Sequence, residues 1–465
     1  MTFSALDSAL VGPLLATDAM RAVFGDPARV AAMLRAEAAL ARAQARAGLV
    51  PPALAEAVAA IDPDDLDRDA IGRATAVAGV PTIPFVKAVQ ARLPAALARD
   101  VHRGATTQDI LDTALVLQMR EGLALIERDL GATIAALLRL AETHRATPCV
   151  GRTYGQHAAP ITFGVKAAGW ALGLAEVAEG LAPLRARVLA ASLGGPVGTL
   201  AGLGEAGPSI ADGFAAELGL APSALPWHAR RGRIAETGAW LGLLVGALAK
   251  MATDVASLAS TEIGEVAEPW APGRGGSSAM PHKRNPVSAT VILAAQGAAP
   301  GHVATLLTAM GAAHERPAGP WHAEWHALPT LFGLASGALA EGRRLGEGLS
   351  VRPERMRRNL DATRGLLFAD AAAARLAGAI GREAAHALVA DAAARVLDTD
   401  RPLSEVLRTD PAVARALSPA DIDAAFDLAP AVSAAARFTD RAVAAAAAIH
   451  ATLRGDASAP GHEPA

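Results

Sequence analysis

The feature that most constrains this chain is a run of apolar residues at heptad spacing. Ile234, Leu241, Leu244, Leu248, Met251, Val255 and Leu258 follow one another at intervals of 7, 3, 4, 3, 4 and 3. That spacing lays a stripe along one face of a helix. Met119, Leu123, Ile126, Leu130, Ile134 and Leu137 repeat the pattern. Helices of about 30 residues are about 45 Å long. Seams on such rods imply a long bundle, expected to be shared between subunits; a bundle within one chain is the alternative. Composition agrees with an all-α fold. Hydrophobic residues make up 52% and aromatics only 3%, and alanine, the strongest helix former, fills much of the difference.

A chain of 465 residues exceeds one compact core and implies two or three domains. Residues 1–110 read as an N-terminal domain of short helices broken by Pro51, Pro52, Pro63, Pro81 and Pro84. Residues 111–365 read as a central long-helix bundle, and residues 366–455 as a C-terminal domain of alanine-rich helices. Residues 456–465 are expected to be a disordered tail. The formal charge of −3, with both signs mixed, argues against a nucleic-acid or membrane-surface partner. Cys149 is the single cysteine, which excludes an internal disulfide and a multi-thiolate metal site. The amino terminus has no basic segment followed by an apolar core. The longest apolar stretch, Leu241 to Ala249, is closed by Lys250 and falls short of the roughly 20 residues that span a bilayer. A cytoplasmic enzyme is expected.

Three segments break the helical pattern with glycine and polar groups. In Val101-His102-Arg103-Gly104-Ala105-Thr106-Thr107-Gln108-Asp109, Asp109 or Thr107 can cap the helix that follows, and clustered hydroxyls beside free backbone N–H groups suit an anion. Capping alone is the alternative. Gly151-Arg152-Thr153-Tyr154-Gly155-Gln156-His157-Ala158-Ala159-Pro160 precedes another helix with Thr162 near its start. His157 can exchange a proton near neutral pH, or it can be structural. The third segment runs from Pro272 to Pro286. Gly273, Gly275 and Gly276 give it freedom, Ser277 and Ser278 supply hydroxyls, and Lys283 and Arg284 supply cations. Asn285-Pro286 reads as an N-cap followed by proline at the first helical position, so the loop ends on a helix terminus that favours negative charge. Together these features suggest a mobile lid over an anionic substrate.

Gly276-Ser277-Ser278-Ala279-Met280-Pro281-His282-Lys283-Arg284-Asn285-Pro286 resembles the signature loop of the fumarase/aspartase superfamily. The other two segments fall in the order of that superfamily's site regions, and the resemblance covers nearly the whole chain. It implies a three-domain fold whose central bundle forms a tetramer core, with active sites shared between subunits. It implies α-proton abstraction next to a carboxylate and departure of a β group. Ser277 is then the base, Lys283 and Asn285 hold a substrate carboxylate, and His157 serves as or supports the acid. Thr106 and Thr107 contact substrate carboxylates. His102, Gln108, Arg152, Thr153, Ser278 and Arg316 complete the expected substrate-binding set. No metal-ligand spacing appears, and no cofactor is expected.

Two stretches bear on the substrate. Gly79-Val80-Pro81-Thr82-Ile83-Pro84 lacks the histidine of adenylosuccinate lyases and is similar to a segment of bacterial 3-carboxy-cis,cis-muconate cycloisomerases. His314-Glu315-Arg316-Pro317-Ala318-Gly319-Pro320-Trp321-His322-Ala323-Glu324-Trp325 also resembles the cycloisomerase version. Two tryptophans are a poor grip for a nucleotide phosphate. The resemblance therefore implies lactonisation of 3-carboxymuconate in protocatechuate breakdown, with a succinyl-adduct lyase releasing fumarate as the alternative.

Overall fold

The computed structural model describes residues 4–457. The chain is mostly helical, with two small antiparallel pairs of strands. Four long helices fall between residues 107 and 348: Thr107–Thr143, Gly232–Leu258, Val287–Ala309 and Pro320–Gly348. The last helix, Ala429–Ala457, takes in residues 456 and 457, which were expected in the tail. Residues 458–465 of that expectation lie outside the described residues.

Contacts divide the chain into two compact units. One comprises residues 1–130, 177–246 and 291–340, the other residues 131–176, 247–290 and 341–465. The units interleave along the chain, whereas the three expected zones are consecutive. The four long helices between residues 107 and 348 each contribute residues to both units, and Ala429–Ala457 lies in the second.

Within the first unit the helix Asp26–Arg46 packs on Pro52–Ala59 and Gly207–Glu217. Its approach is close because it presents alanine: Ala36, Ala38, Ala39, Ala41 and Ala43 are all buried. Phe24 and Phe332 stack with ring centroids 4.8 Å apart.

Within the second unit a hairpin joins Pro148–Thr153 to Gln156–Thr162. Sequence periodicity alone had not separated it from the helices. Tyr154 and Gly155 form its two-residue turn with φ of +51° and +77°, as a primed hairpin turn requires. The helix Pro353–Asp361 packs against the first strand and Ala429–Ala457 against the second. Burial on the first strand pushes the Cys149 thiol up to about 12. The C-terminal helices of this unit close around Leu376, Val389, Val396 and Leu403.

Both heptad seams lie inside the chain. Leu241, Leu244, Leu248 and Val255 are fully buried, as are Met119, Leu123, Leu130, Ile134 and Leu137. The seams therefore do not themselves call for a second copy, contrary to the expectation drawn from their length. Apolar residues left outside are others: Leu243 is 65% exposed and Leu307 54%, with Leu293 and Met310 also exposed. By length and composition Gly232–Leu258 and Val287–Ala309 are long and apolar enough to cross a membrane, although neither is one unbroken apolar stretch. The first of them carries the buried seam.

Candidate active site

The expected residues fall into two sets. His102, Thr106, Thr107, Gln108 and Arg316 belong to the first unit. Arg152, Thr153, His157, Ser277, Ser278, Lys283 and Asn285 belong to the second.

In the first set the long helix begins at Thr107, whose carbonyl accepts the Thr82 hydroxyl at 3.3 Å. Asp109 is neither the cap nor exposed. It lies in the first turn, fully buried, and gathers four donors. The N–H groups of Thr106, Gly194 and Gly195 each reach it at 2.9 Å, and His228 Nε2 lies 2.6 Å away. One carboxylate thus fixes the helix start, the glycine loop at 194–195 and a buried histidine. Arg316 Nη2 donates to Thr106 Oγ1 at 2.8 Å, so these two expected residues do meet. Gln108 is buried, donating from Nε2 to the His228 carbonyl at 2.9 Å. His102 lies 2.6 Å from the buried Glu37 carboxylate. Burial pulls His102 down, but the charge and hydrogen bond of Glu37, with Asp109, outweigh it and hold His102 above its ordinary value.

Behind this set lies a network that was not anticipated. Arg231, 1% exposed, donates to both oxygens of Asp112 at 2.7 and 3.0 Å and from Nε to Glu324 at 2.9 Å. Trp321 Nε1 donates to Asp112 at 3.0 Å. Two carboxylates share one guanidinium, and burial first, then the nearby Asp112, raises Glu324 against the pull of Arg231. A signal was available. Asp109, Asp112, Val116, Met119 and Leu123 continue the heptad stripe at intervals of 3, 4, 3 and 4, and carboxylates on a buried stripe need partners.

In the second set, Arg152 pairs in register with His157 and Thr153 with Gln156. Arg152 was expected to bind substrate. Its two terminal nitrogens instead donate to the buried Glu265 at 3.2 and 2.5 Å. Burial, then the charge of Arg152, lowers the pKa of His157, with Glu265 opposing. Thr153 and Ser278 are exposed.

The signature loop has a closed neck. Gly276 bridges Arg284, and Asn285 N–H donates to the Gly275 carbonyl at 2.8 Å. Gly275 is required here: its φ is +66°, and a Cβ would meet the Asn285 carbonyl oxygen at 2.6 Å. Just past the neck, Ser277 Oγ accepts the N–H groups of Met280 at 3.1 Å and Ala279 at 3.4 Å. Donors aimed at a serine oxygen stabilise its alkoxide, as a serine base requires.

The helix after the loop differs from expectation. Its terminus does not await a substrate anion, because the Glu268 carboxylate accepts Ser288 N–H at 2.9 Å and Ala289 N–H at 2.8 Å. Beside it, Lys283 and Asn285 line a cavity of about 870 Å³ together with Arg274, His282, Arg284 and Arg352. Arg274 is bound to Ser288 and Glu341. Lys283, Arg284 and Arg352 outnumber the one lining carboxylate, Glu268, which is already engaged at the helix terminus, and that balance suits a polycarboxylate. Among the described residues no group of three or more histidine, cysteine or acidic side chains could hold a metal ion.

A serine hydroxyl that accepts backbone N–H groups, held in a glycine-necked loop rich in cations, defines a site suited to chemistry on an anionic substrate. Family comparison agrees: a lyase model matches residues 14–301, and an adenylosuccinate lyase C-terminus model matches residues 365–442. The chain belongs to this lyase family, the fumarase/aspartase superfamily. It is 48% identical over 429 residues to a 3-carboxy-cis,cis-muconate cycloisomerase of Pseudomonas aeruginosa, covering 91% of this chain and 94% of that one. It is 47% identical over 450 residues to a nitrosuccinate lyase of Streptomyces davaonensis, covering 94% and 95%. Among solved structures, the 3-carboxy-cis,cis-muconate lactonizing enzyme of Pseudomonas putida superposes with a TM-score of 0.90 at 43% identity, covering 94% of this chain and 98% of that one.

Proposed function

We propose that the chain interconverts 3-carboxy-cis,cis-muconate and 4-carboxymuconolactone in the protocatechuate branch of the β-ketoadipate pathway. The observation that carries this is the Ser277 hydroxyl accepting two backbone N–H groups in a loop that also presents Lys283 and Asn285. Relatives between 41% and 48% identical that bear the cycloisomerase name support the choice within the superfamily.

In the ring-closing direction a carboxylate oxygen of the substrate bonds to one alkene carbon. The Ser277 proton passes to the neighbouring carbon, which lies next to a carboxylate. In reverse, the serine alkoxide removes that proton and the lactone C–O bond breaks. The two N–H groups at Ser277 Oγ stabilise the alkoxide in both directions. Lys283 and Asn285 hold a substrate carboxylate, and Thr106, Thr107 and Arg316 hold another. Substrate carries three carboxylates, which gives these donors a purpose. Ser278, Thr153, Gln108 and His102 form the surroundings of the site, and Arg152 acts from behind it.

A homotetramer with sites shared between subunits accompanies this reading. Its support is that Leu243, Leu293, Leu307 and Met310 leave apolar surface for a second copy. The consecutive domains 1–110, 111–365 and 366–455 and a cytoplasmic location belong to the same proposal.

The second reading is a lyase that releases fumarate, favoured by the nitrosuccinate lyase at nearly equal identity. The test gives purified protein 3-carboxymuconate, nitrosuccinate or adenylosuccinate in parallel, each with and without a chelator. Loss of diene absorbance with the first, unaffected by the chelator, is the expected result. Fumarate from either of the others, with the diene untouched, would move the assignment to the lyase.

A further inference from the structure

Arg152 faces His157 across the hairpin, yet its guanidinium is committed elsewhere. Both terminal nitrogens grip the Glu265 carboxylate, and Asn359 Nδ2 donates to that carboxylate at 2.7 Å and to the Ile263 carbonyl at 2.9 Å. Glu265 is wholly buried and Asn359 nearly so. A bidentate pair of this kind fixes the planar head of arginine. A cation is thereby held at a constant place beside the imidazole.

The ring itself carries a second clue. His157 Nδ1 is buried and has no hydrogen-bond partner among the described residues. A proton on a buried nitrogen without an acceptor is penalised, so a neutral ring leaves Nδ1 bare and carries its proton on Nε2. A charged ring would need protons on both nitrogens and would face the Arg152 cation. The charges that act on the ring are Arg152 and Glu265. Of the charged groups on the packed helices, Arg355 is engaged with the carbonyls of Glu262 and Ile263, Arg357 with Asp361, Asp440 with Arg145 and Arg437 with Ser433.

We propose that Arg152, pinned by Glu265 and Asn359, is a positioning residue that acts through His157, adding to the effect of burial to keep it a neutral imidazole that donates from Nε2. His157 is then a hydrogen-bond donor to the substrate and not a proton shuttle. The inference rests on His157 being a site residue, which is the functional reading given above. It deepens that reading by assigning the part His157 plays, and it recasts Arg152 as a residue that never touches substrate.

The measurement uses full-length protein carrying ¹⁵N only in histidine, with the His157 signals assigned by their loss in His157→Gln. At pH 7.5 the expected spectrum has Nδ1 bare and Nε2 protonated; a charged ring or a proton on Nδ1 overturns the proposal. In Arg152→Gln the charging midpoint of His157 should rise by at least one pH unit, a tenfold change in proton affinity, and Arg152→Lys, which keeps the charge without the bidentate grip, should lie between that variant and wild type. Should Arg152→Gln fail to fold with Glu265 left unpaired, the double variant Arg152→Gln/Glu265→Gln serves instead; it removes both charges, and because the arginine acts more strongly on the ring than the carboxylate, its midpoint should still rise. An unmoved midpoint in a variant of native helicity and size overturns the proposal. In turnover, His157→Gln, whose amide nitrogen can reach the Nε2 position, should exceed His157→Asn at least tenfold in kcat/KM; equal rates overturn the donor role. If wild type leaves 3-carboxymuconate untouched while the ring measurements come out as expected, the substrate assignment fails and the role of Arg152 stands.

Discussion

Replacing Gly275 with alanine tests whether the neck of the signature loop sets its activity. Alanine there must adopt a φ of +66°, and its Cβ would lie 2.6 Å from the Asn285 carbonyl oxygen. The left-handed backbone costs about 1–2 kcal/mol for a residue with a Cβ. Relieving the contact must move backbone, since no flexible side chain is involved, and this disrupts the Asn285 N–H bond to Gly275, worth about 1 kcal/mol. The sum of about 2–3 kcal/mol corresponds to about a 30- to 150-fold loss of correctly shaped loop at 1.36 kcal/mol per decade. The assay is kcat/KM for diene loss, beside thermal melting followed by circular dichroism. Because the loop is exposed and contributes nothing to the core, melting should stay within a few degrees of wild type. Two neighbours are internal controls. Gly273 has a φ of +76° but open space around its Cβ position, so Gly273→Ala carries only the backbone cost, about 5- to 30-fold. Gly276 has neither a positive φ nor a neighbour within 4 Å, and Gly276→Ala should fall within about twofold of wild type, a few tenths of a kcal/mol. A Gly275→Ala enzyme as active as Gly276→Ala would refute the reasoning.

Three further outcomes are expected. Ser277→Ala should lower kcat by about 10²–10⁴, the usual share of a positioned proton carrier, at unchanged helicity; retention of most activity would move the proton to another group. Arg231→Met leaves Asp112 and Glu324 buried without a cation and should cost about 3–5 kcal/mol in urea unfolding, a cost that Glu324→Gln on the same chain should partly restore. Glu324 is raised in the folded protein, so its contribution is complete below the unfolded value near 4.5 and is lost as pH climbs through the folded one. Glu324→Gln alone should therefore gain on wild type as pH rises above 4.5, and parallel stability curves would contradict this. Finally, Ser277→Ala and His157→Ala chains, each impaired, should regain activity when unfolded together and refolded as hybrids; inactive mixed tetramers verified by mass spectrometry, or a monomer by light scattering, would remove the shared site.

The sequence was most readable where chemistry and periodicity coincide. The seams at 119–137 and 234–258 became buried helix faces because their 3.5-residue repeat matches the helix. The Pro272–Pro286 loop was legible from its glycines, hydroxyls and cations, which no buried helix would tolerate together. Asp109 was visible but misread as a cap, although it shares the buried stripe with Asp112. Other features depend on pairings no local pattern encodes. Glu265 meets Arg152 from 113 positions away and Asn359 from 94. Glu268 occupies a helix terminus 20 residues downstream, and nothing in its neighbours announces that. The turn at Tyr154-Gly155 lies between, since glycine in second place hints at a hairpin while tyrosine in first place argues against it.

The tied neck of the signature loop has an evolutionary corollary. Its two ends meet at Gly276 and Arg284, so Ser277 and Lys283 travel together on one short ring of chain. Such a ring is a cassette: it can pass between relatives with its chemistry intact, provided the recipient keeps Gly275 and Asn285 at the clasp. Divergence between relatives such as a cycloisomerase and a nitrosuccinate lyase, both nearly half identical to this chain, can then be written outside the cassette. The tract from Gly79 to Pro84 and the tract from His314 to Trp325 are where a change of substrate can accumulate without disturbing the proton-transfer apparatus.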